Sequence, residues 1–135
     1  MPVTLNYTAI IAATIAQMII GALWYSPLMF GNIWMKLAGV KKEDISKSDS
    51  NKAMLGMFVV AFIQVYVMAH FVFYTDAKDY VGGLQAGFWL WLGFVATTSM
   101  NEVLFAKKPI MLWKINNGFS LLALLVSGVI LAVWR

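Results

Sequence analysis

The sequence contains no cysteine, a single histidine and few charged residues, and each of these shortages excludes a class of protein or of site. Without cysteine the chain forms no disulfide and has no thiolate nucleophile, and one histidine cannot complete a His/Cys zinc site within one chain. Charged residues make up 12% of the chain, which is about half the share that a soluble domain carries. So few charges cannot cover a globular surface, and we therefore expect hydrocarbon to surround most of the chain.

Hydrophobic residues, in contrast, make up 61% of the 135 residues and are gathered in four segments. Each segment has the roughly 20 mainly apolar residues that a membrane-spanning helix needs. The predicted spans cover residues 5–25, 52–75, 81–105 and 115–134. The fold class is therefore expected to be all-α: a four-transmembrane-helix bundle that forms a single integral membrane domain over residues 1–135.

The distribution of basic residues predicts how the spans are oriented. Eight of the ten lie in or beside the connections that follow the first and third spans. These are Lys36, Lys41, Lys42, Lys47, Lys52, Lys107, Lys108 and Lys114. Because cytoplasmic loops of membrane proteins are enriched in lysine and arginine, we expect a cell-membrane protein with both termini outside the cytoplasm. The same rule accounts for the net charge of +4, so the expected partner is the lipid bilayer and not a nucleic acid.

The connection formed by residues 26–51 contains a predicted short helix. In SPLMFGNIWMKLAG, residues 26–39, apolar side chains recur at near-helical spacing, and Gly39 suits a helix end. This pattern is typical of an amphipathic helix that lies on the inner membrane interface. Ser50 or Asn51 is expected to cap the next span, because a side-chain oxygen there can accept from the first free N–H groups of the helix.

Small and polar residues along single helix faces predict where the helices contact each other, because helix packing in lipid favours small side chains. Such faces occur in the first, third and fourth spans. They comprise Ala9, Ala13, Gln17 and Gly21 in the first span, and Asn116, Ser120, Ala123 and Ser127 in the fourth. The third span has two such sets, the pair Gly83 and Gly87 and then Gly93, Thr97 and Asn101 at steps of four. Four helices enclose little interior space, so we also expect a homo-oligomer.

Two glutamines lie near the middle of their predicted spans, and a histidine lies closer to the outer side. Gln17 and Gln64 are each about 18 Å from the interface at which their span begins. Because an unpaired amide in hydrocarbon is costly, we predict that these two side chains form a midplane pair between helices; the alternative is a polar lining for a substrate path. His70 is an outer candidate, either as a hydrogen-bonding residue or as a proton relay.

The stretch TTSMNEVLF, residues 97–105, places a carboxylate near the inner end of the third span. Ionisable residues within membranes are functional candidates by default, but a lysine among Lys107, Lys108 and Lys114 could reach Glu102 and form an ion pair at the inner boundary. Both interpretations stay open. The polar and aromatic residues predicted to converge at this level form a candidate site: Glu102, Asn101, Asn116, Asn117, Trp24, Tyr25 and Ser26.

Two stretches, WYSPLMFGNIWMKLAG at residues 24–39 and KKPIMLWKINNGFSLLALLVSGVILAVWR at residues 107–135, resemble the DUF1761 family of small multi-pass membrane proteins of unknown function. The resemblance implies a four-helix membrane protein and supplies no activity. It also draws attention to the Tyr25 hydroxyl, which is expected to reach Asn116 or Glu102. Such a contact belongs either to a hydrogen-bond network that specifies the fold or to a binding site.

Three functions remain to be distinguished. The first is a structural or interaction helix bundle that self-associates, and the second is a small transporter or channel whose polar pathway, with a small-molecule or ion ligand, forms in an oligomer. The third, a membrane-embedded enzyme or ligand binder, is disfavoured because the sequence has no Ser/His/Asp set at usable spacing, no HExxH motif, no carboxylate pair and no phosphate-binding glycine loop. We therefore predict no enzyme activity, no cofactor and no metal.

Overall fold

A computed structural model describes residues 3–41, 43 and 46–134. Their secondary structure is helical, with no strand among them, which confirms the all-α fold. The elements are α1 (Tyr7–Trp24), α2 (Gly31–Ala38), α3 (Lys47–Tyr74), α4 (Tyr80–Leu90), a π-helix (Trp91–Ala96), α5 (Thr97–Ser99), α6 (Asn101–Leu104) and α7 (Ile110–Val133). Lys42, one of the eight basic residues on which the predicted orientation rests, lies outside the described residues, as does Arg135.

Three of these helices, α1, α3 and α7, are individually long and apolar enough to cross a membrane. The third predicted span, residues 81–105, is instead a succession of shorter elements. Residues 80–99 are helical throughout, but the π-helix separates the α-helical part before it from the one after it. The short helix α6 follows after Met100. A π-helix bonds residue i to i+5 and so changes the rotation per residue within the segment. The described residues thus contain three long apolar helices where the sequence predicted four.

The start of α3 lies earlier than the sequence pattern indicated. Ser46 precedes the helix and its hydroxyl oxygen accepts from the backbone N–H of Asp49 at 3.0 Å. The predicted cap at Ser50 or Asn51 is therefore wrong, because both residues already lie inside the helix. Asp49 sits in the first turn, where a negative charge interacts favourably with the helix dipole.

The short helix predicted in the connection 26–51 is present as α2, and it folds directly back onto the end of α1. The backbone N–H of Gly31 donates to the carbonyl oxygen of Ser26 at 2.9 Å. A Cβ atom at Gly31 would overlap the carbonyl oxygen of Tyr25, so only glycine permits this approach. The helix ends at Gly39, whose φ of 72° is the left-handed conformation expected of a glycine after a helix.

The centre of the bundle is α7, which packs against α1 on one side and α4 on another. Two glycines of α4 bring its backbone against that of α7. A Cβ atom at Gly83 would collide with the backbone of Gly128, and one at Gly87 with the backbone of Leu124. The predicted small-residue contact at Gly83 and Gly87 is thus confirmed, and it is of the kind that favours dispersion contacts in lipid.

The small-residue face of α1 is also confirmed as a contact surface. Ala9 and Ala13 are fully buried, and Gln17 is 4% exposed. At Gly21, near the other end, a Cβ atom would lie 3.3 Å from the ring of Phe119. This face joins α1 to its neighbours along the whole length of the helix.

The contact predicted for the second set of the third span is wrong. Gly93, Thr97 and Asn101 are exposed, and a Cβ atom at Gly93 would meet no atom within 4 Å. Regular steps of four residues describe one face only while the helix keeps 3.6 residues per turn. On a regular helix Gly93 already lies about 120° around the axis from Gly87, so this second set is a different face from that of Gly83 and Gly87. The π-helix further changes the rotation between the two sets.

Only the C-terminal half of α3 packs against the rest of the chain. Its buried residues are Ala61, Val65, Met68, Ala69 and Val72. Residues 47–60 are exposed throughout. Half of the longest helix therefore extends beside the bundle without a contact that buries it.

Candidate functional site

The turn after α1 places two aromatic side chains against α7. The indole Nε1 of Trp24 donates to the carbonyl oxygen of Ile115 at 2.9 Å, and the hydroxyl of Tyr25 donates to Oδ1 of Asn116 at 2.7 Å. Gly118 lies beneath the Trp24 ring, since a Cβ atom there would be 3.0 Å from Cζ2 of the indole. Two hydrogen bonds and a close ring contact thus join the end of α1 to the first turns of α7.

Further rings surround Tyr25. Its ring is edge-on to that of Trp34 in α2, with 5.7 Å between the centroids, and edge-on to that of Phe119 in α7, with 5.5 Å. The ring of Phe30 lies 4.8 Å from that of Trp24. Edge-to-face pairs at these separations are favourable beyond the area they bury. They hold α2 against the junction of α1 and α7.

Asn117 faces the opposite neighbour, the interrupted helical segment 80–99. Its side-chain Nδ2 donates to the backbone carbonyl oxygen of Trp113 at 3.0 Å. The backbone carbonyl oxygen of Asn117 accepts from Nε1 of Trp91 at 3.0 Å. The hydroxyl of Ser99 lies 2.8 Å from Oδ1 of Asn117 and 2.7 Å from the carbonyl oxygen of Val95. One hydroxyl proton serves these two acceptors in turn. Nε1 of Trp113 completes the network by donating to Ser99 at 3.1 Å.

The two adjacent asparagines therefore connect α7 to two different helices. Consecutive residues of an α-helix point in directions about 100° apart. Asn116 is directed at α1 and Asn117 at the segment 80–99. Asn117 is 4% exposed, and no buried side-chain nitrogen or oxygen in the described part of the chain lacks a hydrogen-bond partner. The networks fix three helical segments relative to one another.

Three members of the predicted cluster do not take part in these networks. The hydroxyl of Ser26 donates to the carbonyl oxygen of Leu23 at 2.7 Å and so closes the end of α1. Asn101 and Glu102 lie exposed in α6. Within residues 3–41, 43 and 46–134, neither side chain forms a hydrogen bond and Glu102 forms no ion pair. The structure thus brings together Trp24, Tyr25, Asn116 and Asn117 but not the carboxylate.

The predicted midplane pair of Gln17 and Gln64 is wrong. Nε2 of Gln17 donates to the hydroxyl oxygen of Ser127 in α7 at 2.9 Å. Ser127 is fully buried, so this bond lies inside the bundle. Gln64 is exposed and lines an open groove between α3 and the π-helix. The two glutamines occupy similar depths in their spans, but Gln17 faces α7, whereas Gln64 lies on an exposed face of α3.

His70 has a local partner rather than an ionisable one. Its Nδ1 lies 2.9 Å from the carbonyl oxygen of Tyr66, one turn earlier in α3, and its ring is edge-on to that of Tyr66 at 5.0 Å. Among the described residues no group of three or more His, Cys, Asp or Glu side chains is placed to hold a metal ion. His70 and Glu102 therefore contribute neither to one another nor to the polar networks.

Sequence reasoning missed four residues of these networks as hydrogen-bonding partners: Trp91, Ser99, Trp113 and Ser127. A signal for the two tryptophans existed, because a buried indole N–H requires an acceptor. Ser127 stood on a predicted contact face, but its partner could not be read from the spacing of one helix. The networks consist of hydroxyl, amide, indole and backbone groups that form hydrogen bonds with one another.

The sequence model of the DUF1761 family, whose description is 'protein of unknown function', matches residues 8–132. The chain belongs to the DUF1761 family. The match includes every residue of the networks described above. No significant match was found among curated proteins or among solved structures.

In this DUF1761 member, the motif Ile-Asn-Asn-Gly at residues 115–118 has a structural explanation for each position. Ile115 offers its carbonyl oxygen to Trp24, and Gly118 leaves room for the same ring. The two asparagines between them bind α1 and the segment 80–99. The motif is therefore the place at which α7 meets both of its neighbours.

Proposed function

We propose that this DUF1761 protein is an integral membrane protein that crosses the bilayer four times. Its role in this proposal is structural: a helix bundle that associates with copies of itself rather than an enzyme. The lysine-rich turns lie in the cytoplasm and both termini lie outside it, in keeping with the positive-inside rule.

The observation that carries the structural role is the pairing of polar side chains inside the bundle. The buried polar side chains of the described residues are Thr14, Gln17, Asn117 and Ser127, and each is hydrogen-bonded within the chain. A conducting pathway needs polar groups that can exchange partners with a solute. Thr14 is bonded within α1, whereas Gln17, Ser127 and Asn117 bind side chains of neighbouring helical segments and so fix the positions of those segments.

The interrupted segment 80–99 supplies the remaining crossing. Twenty consecutive helical residues, at about 1.5 Å each, extend roughly 30 Å, which is the thickness of the hydrocarbon core. The segment packs along α7, one of the three long apolar helices. The π-helix within it is acceptable in lipid because its polar backbone groups remain hydrogen-bonded within the segment.

Self-association is supported by the free half of α3. Its exposed apolar residues include Leu55, Phe58 and Val60, which are 67%, 40% and 58% exposed. Nothing in the described chain packs over this half-helix. A second copy of the bundle would enlarge the packed interior that four helices alone cannot provide.

The experiment that tests the proposal combines flotation, subunit counting and flux. The purified full chain is reconstituted into liposomes, and a fluorescent label is counted by stepwise photobleaching at low protein density. We expect the chain to float with the liposomes, to show more than one label per spot and to conduct neither protons nor small solutes. Flux that the Glu102→Gln variant abolishes would contradict the structural role and support the transporter.

A further inference from the structure

A second regular face of α3 carries its one mid-helix amide. The residues of this face recur at alternating intervals of four and three, and all of them are exposed. They are Ala53, Met57, Val60, Gln64, Val67 and Phe71. We call this set the Gln64 stripe. Alternation of four and three is the 3.5-residue period of helices that pair with a left-handed crossing.

The Gln64 stripe is distinct from the face with which α3 packs on its own chain. At about 100° per residue, the stripe is centred roughly 100° around the helix from the buried face formed by Ala61, Val65, Met68 and Val72. The stripe is also longer, since it extends into residues 47–60, where the chain buries nothing. α3 is therefore apolar well beyond the face that the bundle uses, and Val59 and Ile63, for example, are exposed apolar residues outside the stripe. What sets the stripe apart is the amide of Gln64.

Gln64 distinguishes this face from a surface that lipid alone would cover. It lies about 15 Å from each end of the apolar part of α3, which corresponds to the bilayer midplane. Its amide has no hydrogen-bond partner among residues 3–41, 43 and 46–134. Hydrocarbon satisfies valine and methionine but offers no donor or acceptor to an amide.

We propose that α3 pairs with α3 of a second copy through the Gln64 stripe, with the two Gln64 amides hydrogen-bonded to each other. This inference rests on the proposed membrane bundle and names the surface by which it associates. A two-fold axis along the membrane normal places equivalent residues of two copies at the same depth. A primary amide carries both donors and an acceptor, so two of them form a reciprocal pair without any other group.

A groove beside the stripe can receive side chains of the partner helix. Gln64, Val67 and Phe71 line one wall of an open groove of about 370 Å³, and Phe94 of the π-helix lies on the other wall. The groove exists because α3 has few contacts with α4. Its lining is apolar apart from Gln64, so a helix that presents valine, phenylalanine and one amide matches it in chemistry.

Single cysteines test the surface directly, because the chain has none of its own. Val60→Cys places a thiol on the stripe, and Val59→Cys places one on the adjacent residue, about 100° around the helix. Both valines are exposed, at 58% and 48%. In liposomes of neutral lipid under mild oxidation, we expect disulfide-linked dimers from Val60→Cys and none from Val59→Cys.

The amide itself is tested with a leucine substitution. Gln64→Leu should weaken the dimer about three- to twentyfold, the range that interhelical hydrogen bonds contribute in membranes. Gln64→Asn, which retains the amide, should keep most of the affinity. Gln85→Leu is the matched control, because Gln85 is an exposed glutamine of α4 that lies outside the stripe.

The outcomes separate this inference from the proposed function. If photobleaching shows oligomers but Val59→Cys cross-links as efficiently as Val60→Cys, the Gln64 stripe is not the interface and the structural role stands. If all variants remain monomeric in liposomes, both proposals fail. If dimers form through Val60 and Gln64→Leu leaves their affinity unchanged, the helix pairing holds but the amide pair is overturned.

Discussion

At the scale of single residues, hydrogen bonds between side chains decide which helices are neighbours. The hydroxyl of Tyr25 and the amide of Asn116 lie on different helices and are 2.7 Å apart. In a low-dielectric interior such a bond is strong, and a partner left without it is costly. Each of these contacts can be removed by deleting one or two atoms, which makes its contribution measurable.

The Tyr25 contact is tested by Tyr25→Phe. The change removes only the hydroxyl and leaves Oδ1 of Asn116 without its donor, so we expect the free energy of unfolding to fall by about 1–2 kcal/mol. The measurement is equilibrium unfolding in detergent micelles. Tyr80→Phe, in which the affected ring is 65% exposed, serves as the control and should change the stability by less than about 0.5 kcal/mol. Equal effects of the two variants would contradict the assigned contact.

The bond between Gln17 and Ser127 is suited to a double-mutant cycle. Gln17→Leu leaves a buried hydroxyl with a lost partner and should destabilise the fold by about 1–2 kcal/mol. Adding Ser127→Ala to Gln17→Leu should recover part of that loss, because both polar partners are then absent. Gln64→Leu should leave the stability of the monomer unchanged. Additive effects of Gln17→Leu and Ser127→Ala would show that the two side chains do not interact.

The partner of Gln17 also marks a limit of prediction from sequence at this scale. Depth along a span follows from counting residues, and it placed Gln17 and Gln64 at similar levels. It does not specify which helix lies opposite, because that depends on the arrangement of all the helices. Counting depth also placed Tyr25 and Asn116 at one level, and the family resemblance then singled out the Tyr25 hydroxyl as reaching Asn116 or Glu102.

At the scale of elements, the π-helix Trp91–Ala96 determines how the third helical segment meets α7. Before it, Gly83 and Gly87 contact the backbone of α7. After it, Ser99 is directed at Asn117. Regular helical periodicity predicted the first contact correctly and the faces after residue 90 incorrectly. Single-turn π segments leave no clear signature in hydrophobic spacing, so the change of phase could not be read from the sequence.

The glycine contact between α4 and α7 gives a prediction at the same scale. Gly87→Ala introduces a methyl group against the backbone of Leu124, and overpacking of this kind costs about 1–3 kcal/mol. Gly93→Ala adds the same methyl group where no atom lies within 4 Å, so its stability should stay the same or rise slightly. Unfolding in detergent measures both variants. A larger loss for Gly93→Ala than for Gly87→Ala would contradict the observed packing.

At the scale of the whole molecule, packing and charge give independent information, the first about the arrangement of the helices and the second about their orientation in the membrane. Packing shows two long apolar helices, α1 and α3, and the interrupted segment 80–99 arranged around the third long helix, α7. Charge distribution concerns only the connections between them, and it predicts which of them face the cytoplasm. The sequence yields the lengths of the segments and the positions of the lysines directly, because neither depends on which helices touch.

The proposed topology is tested by labelling single cysteines in intact cells with a membrane-impermeant maleimide. Ser48→Cys lies in the first turn of α3 and Ala106→Cys in the connection before α7, and both are proposed to be cytoplasmic. Lys78→Cys lies in the turn proposed to be outside, and all three positions are exposed. We expect only Lys78→Cys to be labelled before the cells are opened, and all three afterwards. If Ala106→Cys and Lys78→Cys are labelled together, the segment 80–99 does not cross the bilayer and the protein has three spans. If Ser48→Cys and Ala106→Cys are labelled and Lys78→Cys is not, the four spans remain but their direction is reversed, because the connections on either side of α3 exchange places.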